Sequence, residues 1–151
     1  MEKTLILLFL AISFLACNNP KHTVDQHQAT NTENHDEHDS ELALNNGAKW
    51  QADESTRNHA SKLNNKIAEF NKMQNTAVAD YQTFGNEVQK ELNSLVSDCK
   101  MKGPDHDALH LWLEPVLQTT KELKGVDSEE QGKQTVQELT EQVEKFNQYF
   151  N

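Results

Sequence analysis

The sequence predicts an all-α protein, an up-down-up-down antiparallel four-helix bundle that follows a disordered tether. The chain of 151 residues contains only 5 glycines and 3 prolines, so it has few turn signals and no Gly-rich phosphate-binding loop. Beyond residue 47, apolar residues recur at steps of three and four in four consecutive segments, which is the period of a helix that buries one face. The connections between these segments are short, and short connections favour antiparallel neighbours.

The first seventeen residues carry a targeting signal. A lysine lies among the first three residues, residues 4–14 form an apolar run too short to span a membrane comfortably, and Leu15-Ala16-Cys17 ends the run. This pattern resembles the signal peptide of bacterial lipoproteins. The resemblance implies cleavage before Cys17, lipidation of Cys17 and a periplasm-facing membrane anchor, and Asn18 in place of an Asp favours the outer membrane. The alternative is an ordinary secretory signal with an incidental cysteine.

Residues 18–47 have the composition of a tether. They consist mainly of Asn, Thr, Gln, His and acidic residues, and such a segment cannot offset its own ordering entropy by burial. The chain is therefore expected to divide into a signal peptide (1–16), a lipidated cysteine with a disordered tether (17–47), and the bundle (48–151). Four tether histidines belong either to a solvated spacer or to a weak collector of divalent metal ions: His22, His27, His35 and His38.

Two segments begin the bundle. The first, Asp53–Gln74, and the second, Val78–Cys99, have apolar stripes with the three-and-four spacing of coiled-coil seams, and Asn75–Ala77 connects them. The first stripe consists of Ala60, Leu63, Ile67 and Phe70, and the second of Val78, Tyr81, Gly85, Val88, Leu92, Leu95 and Cys99. We expect these residues to form the core.

Two further segments complete the bundle. Pro104–Lys124 begins with a proline, which suits the first turn of a helix, whereas Pro115 in its interior should kink the helix or leave a carbonyl without its partner. Ser128–Phe150 begins with a capping box of Ser128 and Gln131. The stripe of the third segment consists of His106, Leu109, Leu113, Val116, Thr120 and Leu123, and that of the fourth of Gly132, Val136, Leu139, Val143, Phe146 and Phe150.

One pole of such a bundle collects a candidate metal site. The end of the second segment and the start of the third share this pole, which places Cys99, Met101, His106 and His110 near one another. Two histidines four residues apart project from the same helical face, as in many metal sites. A thiolate, a thioether and imidazoles suit copper(I), whereas Cys99 with the two histidines suits zinc. Alternatively, Cys99 and His106 pack in the core and Met101 fills a gap.

Several functional classes are disfavoured. The net charge of -10, without a cluster of Lys or Arg, gives no electrostatic basis for binding nucleic acid. The motif from His106 to His110 has an Asp where zinc proteases have a Glu, and it is only half of a di-iron motif. The C-x-x-C-H motif of c-type haem is absent from the sequence. We therefore predict that the protein is not an enzyme.

Two stretches carry a resemblance at the level of a family. The stretch Cys99–Leu113, which ends in H-D-x-L-H-x-W-L, and the stretch Leu44–Trp50 are similar to those of a group of small bacterial helical-bundle lipoproteins, sometimes labelled "viral A-type inclusion protein". Members share the layout of a signal, a polar spacer and a helical bundle. The resemblance implies the layout and the location in the envelope. It implies no activity and no ligand.

Two functional hypotheses follow. The first is a lipoprotein that binds or buffers copper or zinc through Cys99, His106 and His110, with Met101 as a further ligand. The second is a non-catalytic, lipid-anchored module that binds another envelope protein and has no metal site. The first predicts that the candidate ligands converge on one point. The second predicts that stability does not depend on metal.

Overall fold

The computed structural model describes residues 41–74 and 76–151, and in this part of the chain it confirms the predicted four-helix bundle. Each helix packs on the next, and α4 returns to pack on α1. The predicted signal peptide, Cys17 and the four tether histidines lie outside the described residues. The helices are α1 (Glu54–Phe70), α2 (Val78–Asp98), α3 (Pro104–Lys124) and α4 (Glu129–Tyr149).

We name the two ends of the bundle by the helix termini that they contain. The proximal pole holds the starts of α1 and α3 and the ends of α2 and α4, and the distal pole holds the opposite termini. At the distal pole α1 is the shortest helix, with 17 residues against 21 in each of the others. It ends at Phe70, four residues before the predicted end, because the segment beyond Phe70 has no buried apolar residue and its methionine, Met73, is 51% exposed.

The predicted stripes form the core. All of their residues are buried except three at the edges, Val78, Cys99 and His106, which are half-buried. An aromatic cluster closes each pole. At the proximal pole the ring centroids of Trp112 and Phe146 lie 5.0 Å apart, and those of Phe146 and Phe150 lie 4.9 Å apart. The distal cluster consists of Phe70, Tyr81 and Phe84.

Two glycines on the predicted stripes allow close helix contacts. A Cβ atom at Gly132 of α4 would lie 2.5 Å from Cδ2 of Tyr81, and one at Gly85 of α2 would lie 2.9 Å from Cγ of Lys124. Such distances are shorter than any van der Waals contact, so only glycine fits at Gly132 unless Tyr81 moves. The absence of these side chains brings α2 close to both α3 and α4.

Asp53 caps α1. The predicted cap of α4 is confirmed in part, because the Ser128 hydroxyl accepts a hydrogen bond from the backbone N–H of Gln131 at 3.3 Å. The Gln131 side chain accepts its bond from the backbone of Asp127 rather than from Ser128, so the reciprocal half of the predicted capping box is shifted by one residue. Helix α3 continues without a break through Pro115.

The first described residues form a leading segment, residues 41–52, that lies against the bundle. Asn45 and Ala48 exchange backbone hydrogen bonds of 2.9 and 3.0 Å around Asn46 and Gly47, both of which have positive φ. Two consecutive positive φ angles are typical of a type I′ hairpin turn, for which Asn-Gly is the preferred sequence. Residues 41–47, which belong to the predicted tether by composition, therefore have defined structure in the described part of the chain.

The leading segment joins the C-terminal end of α4 at the proximal pole. The Trp50 N–H donates to the carbonyl of Tyr149 at 2.8 Å, and the Asn151 N–H donates to the carbonyl of Trp50 at 3.0 Å. The hairpin then turns the preceding residues back along α3 and α4, where Leu42 is half-buried beside Trp112. Within the described residues, no helix combines the length and apolar character needed to cross a membrane.

Candidate functional site

The structure places the four predicted metal ligands at the proximal pole but not in one coordination site. Cys99 is a half-buried free thiol that caps the end of α2, and Cys99 and Met101 both pack against the core cluster. His106 is half-buried and His110 is exposed. Their ring centroids lie 4.6 Å apart in an edge-to-face arrangement.

Cys99 does not form a common metal-binding site with His106 and His110. Among residues 41–74 and 76–151, no three His, Cys, Asp or Glu side chains are arranged so that they could hold a metal ion. The four-ligand site therefore stays a prediction, and only its His106–His110 pair is assembled in this conformation. The packing of Cys99 and Met101 against the core agrees with their alternative assignment as structural residues.

A different histidine forms the most constrained polar cluster of the described residues. His59 of α1 is only 6% exposed, and both of its ring nitrogens face carboxylates of α2. Its Nδ1 lies 2.7 Å from Oε1 of Glu91, and its Nε2 lies 3.2 Å from Oδ2 of Asp98. Lys62 also lies 3.7 Å from Glu91. Because both ring nitrogens are already engaged, His59 has no free nitrogen with which to bind a metal or activate a nucleophile.

The first turn of α1 extends this cluster into what we call the polar clasp: Asp53, Ser55, His59, Glu91 and Asp98. Oδ2 of Asp53 accepts a hydrogen bond from the backbone N–H of Lys100 at 2.7 Å, and the Ser55 hydroxyl donates to the backbone carbonyl of Asp98 at 2.9 Å. Each of these contacts connects the start of α1 to the end of α2. The clasp therefore closes the seam between the two helices at the proximal pole.

Asp53 carries the one clear electrostatic shift in the clasp. Partial burial raises its pKa, but hydrogen bonds from Thr56, from the backbone of Lys100 and from Ser55 outweigh burial and lower the pKa from 3.8 to about 2. The donors stabilise the ionised carboxylate. Asp53 is therefore a charged cap across the physiological pH range.

Sequence reasoning missed the pairing of His59 with α2, although a signal was present. Glu91 and Asp98 are seven residues apart, which places them on one face of a helix beside Leu95. His59 lies on the stripe that contains Leu63, so it had to face a neighbouring helix. Two acids and one histidine at the edges of adjacent stripes in antiparallel helices would have predicted this contact.

A second feature, the distal groove, lies at the opposite pole. It is an open groove of about 610 Å³ between the end of α1, the start of α2 and the first half of α4. Phe70, Tyr81 and Val136 form an apolar floor, and the exposed Met73 contributes to its wall. Its charged lining residues are Glu129, Lys133 and Glu141. The groove is present because α1 ends earlier than its neighbours.

The apolar stripes in the sequence predicted the floor of this groove but not the groove itself, because they did not predict how early α1 ends.

The described residues offer three features for a functional interpretation: a histidine pair on α3, the polar clasp, and the distal groove. Comparison with known proteins adds no assignment to any of them, since no family model, no curated protein and no solved structure matches the chain.

Proposed function

We propose that the protein is a lipid-anchored, non-catalytic module of the bacterial cell envelope that binds a helical segment of another envelope protein in the distal groove. The distal groove is the observation that carries this proposal. It combines an apolar floor with a charged rim, which is the arrangement by which grooves receive the apolar face of an amphipathic helix. The candidate metal site supports the alternative less well, because its ligands do not converge.

The shape of the bundle favours a helix as the occupant. Helix α1 is four residues shorter than each of its neighbours, so about one helical turn is missing from the distal end of the bundle. A helix of the partner would lie beside Phe70 and Val136, where a longer α1 would otherwise continue. Its apolar face would cover the floor, and the exposed side chain of Met73 would be buried against it.

The charges of the groove specify the flank of the partner helix. Glu129 and Glu141 outnumber the single cation of the lining, Lys133, and the whole chain carries a net charge of -10. A basic flank on the partner would be attracted both to the rim and to the overall field of the protein. The proposed occupant is therefore an amphipathic helix with an apolar face and a basic flank.

Anchoring at Cys17 supports this role by allowing the groove to reach its partner. The chain from Cys17 to Glu41 would extend up to roughly 80 Å. A helix of 21 residues is only about 30 Å long. Replacing Cys17 with Ser should abolish the incorporation of labelled palmitate into the protein. If this variant still incorporated palmitate, the anchoring part of the proposal would be wrong.

Site-specific photo-crosslinking in cells tests the groove. A photoreactive amino acid at Gln137, which lines the distal groove, should give one discrete crosslinked species in the membrane fraction. The matched control is the same amino acid at Gln148, an exposed glutamine near the other end of α4. Equal crosslinking from both positions, or none from Gln137, would contradict the proposal.

Charge reversal in the rim then tests the nature of the partner. Glu141→Lys should remove the Gln137 crosslink, because the new lysine would repel a basic flank. Glu144→Lys, an exposed change on α4 outside the groove lining, serves as the control and should leave the crosslink intact. Both variants should melt within a few degrees of the wild type, since surface substitutions rarely change stability by more than about 0.5 kcal/mol. A crosslink that persists in Glu141→Lys would show that the partner lacks a basic flank.

A further inference from the structure

We propose that His59 is a proton-dependent latch, which holds the end of α2 on α1 when its ring is charged and releases that end when the ring loses a proton. The latch is built from one buried ring and two carboxylates of unequal exposure. Loss of the proton increases the mobility of the turn that contains Asp98, Cys99 and Lys100.

The count of hydrogen-bond donors requires a charged ring for the observed geometry. Nδ1 and Nε2 of His59 lie 2.7 and 3.2 Å from carboxylate oxygens of Glu91 and Asp98, so both ring nitrogens face acceptors. Only the imidazolium ion has a hydrogen on both nitrogens. In the neutral ring, the lone pair of one nitrogen would instead point at a carboxylate oxygen. That contact would be repulsive and would open.

The two contacts differ in a way that decides which one opens. The Glu91 side chain is 15% exposed, and its contact with His59 is the shorter one. The Asp98 side chain is 58% exposed, so water can replace its hydrogen bond at little cost. Leaving Glu91 without a donor would cost more, because a buried carboxylate lacks that replacement. The neutral ring therefore keeps its proton on Nδ1 and releases Asp98.

The charged groups around His59 support the same order of events. Glu91 and Asp98 face it from α2, and Lys62 of its own helix lies 3.7 Å from Glu91. Within the described residues these are the charged side chains in ion-pair contact with the ring or with its partners. Lys62 continues to neutralise Glu91 after the ring loses its charge. Among residues 41–74 and 76–151, no second cation lies in ion-pair contact with Asp98.

The release of Asp98 acts on the polar clasp. Asp98 is the last residue of α2, and its backbone carbonyl accepts the hydrogen bond from Ser55. The backbone N–H of Lys100, two residues later, donates to the Asp53 carboxylate. Without the His59 contact, this turn is joined to α1 by those two hydrogen bonds, and Cys99 still packs against the core. The charged ring thus stabilises the closed clasp at lower pH, and that stabilisation is lost as the pH rises and the ring is deprotonated.

The protonation state and the mobility of the turn can be measured separately on the full chain. As the pH is raised, the ¹⁵N shifts of the His59 ring should change from those of an imidazolium ion to those of a single Nδ1–H tautomer. Over the same change, hydrogen-exchange protection of the Cys99 and Lys100 amides should fall by about tenfold, after correction for intrinsic rates. A ring that is neutral while the clasp is closed would overturn the proposal.

Two variants and one control make the test specific. His59→Gln should remove the pH-linked change in protection. Asp98→Asn should also remove it, and this variant should stay folded because the Asp98 side chain is largely exposed. His110→Gln should behave like the wild type, since His110 is exposed. An unchanged pH response in Asp98→Asn, or its loss in His110→Gln, would exclude the latch.

Discussion

Asp53 shows how a single side chain joins two parts of the fold. One of its oxygens caps α1 by accepting the N–H of Thr56 at 2.7 Å, and the other accepts the N–H of Lys100 beyond the end of α2. Both acceptors belong to an ionised carboxylate whose pKa is lowered to about 2. A group with a lowered pKa stabilises the folded state above its ordinary pKa of 3.8 and loses that effect as the pH falls towards about 2.

The replacement Asp53→Ala should lower the free energy of unfolding at neutral pH by about 1–2 kcal/mol, since it removes a helix cap and an interhelical hydrogen bond. The difference from the wild type should narrow as the pH falls from about 4 to about 2, where the wild-type carboxylate is protonated. Urea unfolding of both proteins across this pH range measures the difference in the free energy of unfolding. Ser128→Ala is the matched control, because it removes an uncharged cap and its cost should not vary with pH. A constant difference for Asp53→Ala would refute the assigned charge.

The sequence predicted which residues are buried in the core, but it did not predict which side chains of neighbouring helices contact each other. The three-and-four spacing identified the residues that face the core, including Gly85 and Gly132, because burial depends only on the period of one helix. The contact of His59 with Glu91 and Asp98 depends on the register between two helices, which a single period does not contain. The same limitation affects Cys99, whose distance from the α3 histidines is set by the rotation of α2 against α3.

At the level of elements, the sequence predicted the number, order and type of the helices, and most of their ends. Residues typical of helix starts explain part of this success, since Pro104 and Ser128 mark the starts of α3 and α4. The end of α1 was placed four residues too late because Asn71–Gln74 contains no strong helix-stopping residue. Helix α1 ends at Phe70, which is also the last residue of its buried stripe.

The histidine pair of α3 allows a test of the metal hypothesis. Its first two turns place His106 and His110 side by side, whereas Cys99 packs against the core. We therefore expect Zn²⁺ to bind weakly, to the histidine pair alone. His110→Ala should abolish this binding in isothermal titration calorimetry, and Cys99→Ser should leave it unchanged. To exclude Zn²⁺ binding by the tether, both changes are made in a chain in which the four tether histidines are replaced by Asn: His22, His27, His35 and His38. Loss of binding in Cys99→Ser would show that the four-ligand site assembles around the metal.

In the whole molecule, residues 41–47 of the predicted tether have defined structure against the bundle. The composition of residues 41–47 is that of a polar linker, apart from Leu42 and Leu44. The structure assigns two further roles to this stretch, because Asn46 and Gly47 form a tight turn and Leu42 lies against α3 and α4. Composition could not reveal the surface that receives Leu42, which exists only after the bundle has formed.

The Trp50 side chain joins the hairpin of the leading segment to the part of the segment that is bonded to α4. The indole N–H of Trp50 donates to the carbonyl of Ala43 at 2.7 Å, across the hairpin turn, while the Trp50 backbone is bonded to the end of α4. Trp50→Phe keeps the backbone pairing and removes the indole bond, which should cost about 1 kcal/mol. Hydrogen-exchange mass spectrometry should then show loss of protection in residues 41–48 and unchanged protection in α2. Leu44→Ala is the control, because Leu44 is exposed and its loss should leave the segment bound. If Trp50→Phe retained full protection of residues 41–48, the packing of Leu42, rather than the indole bond, would hold the segment in place.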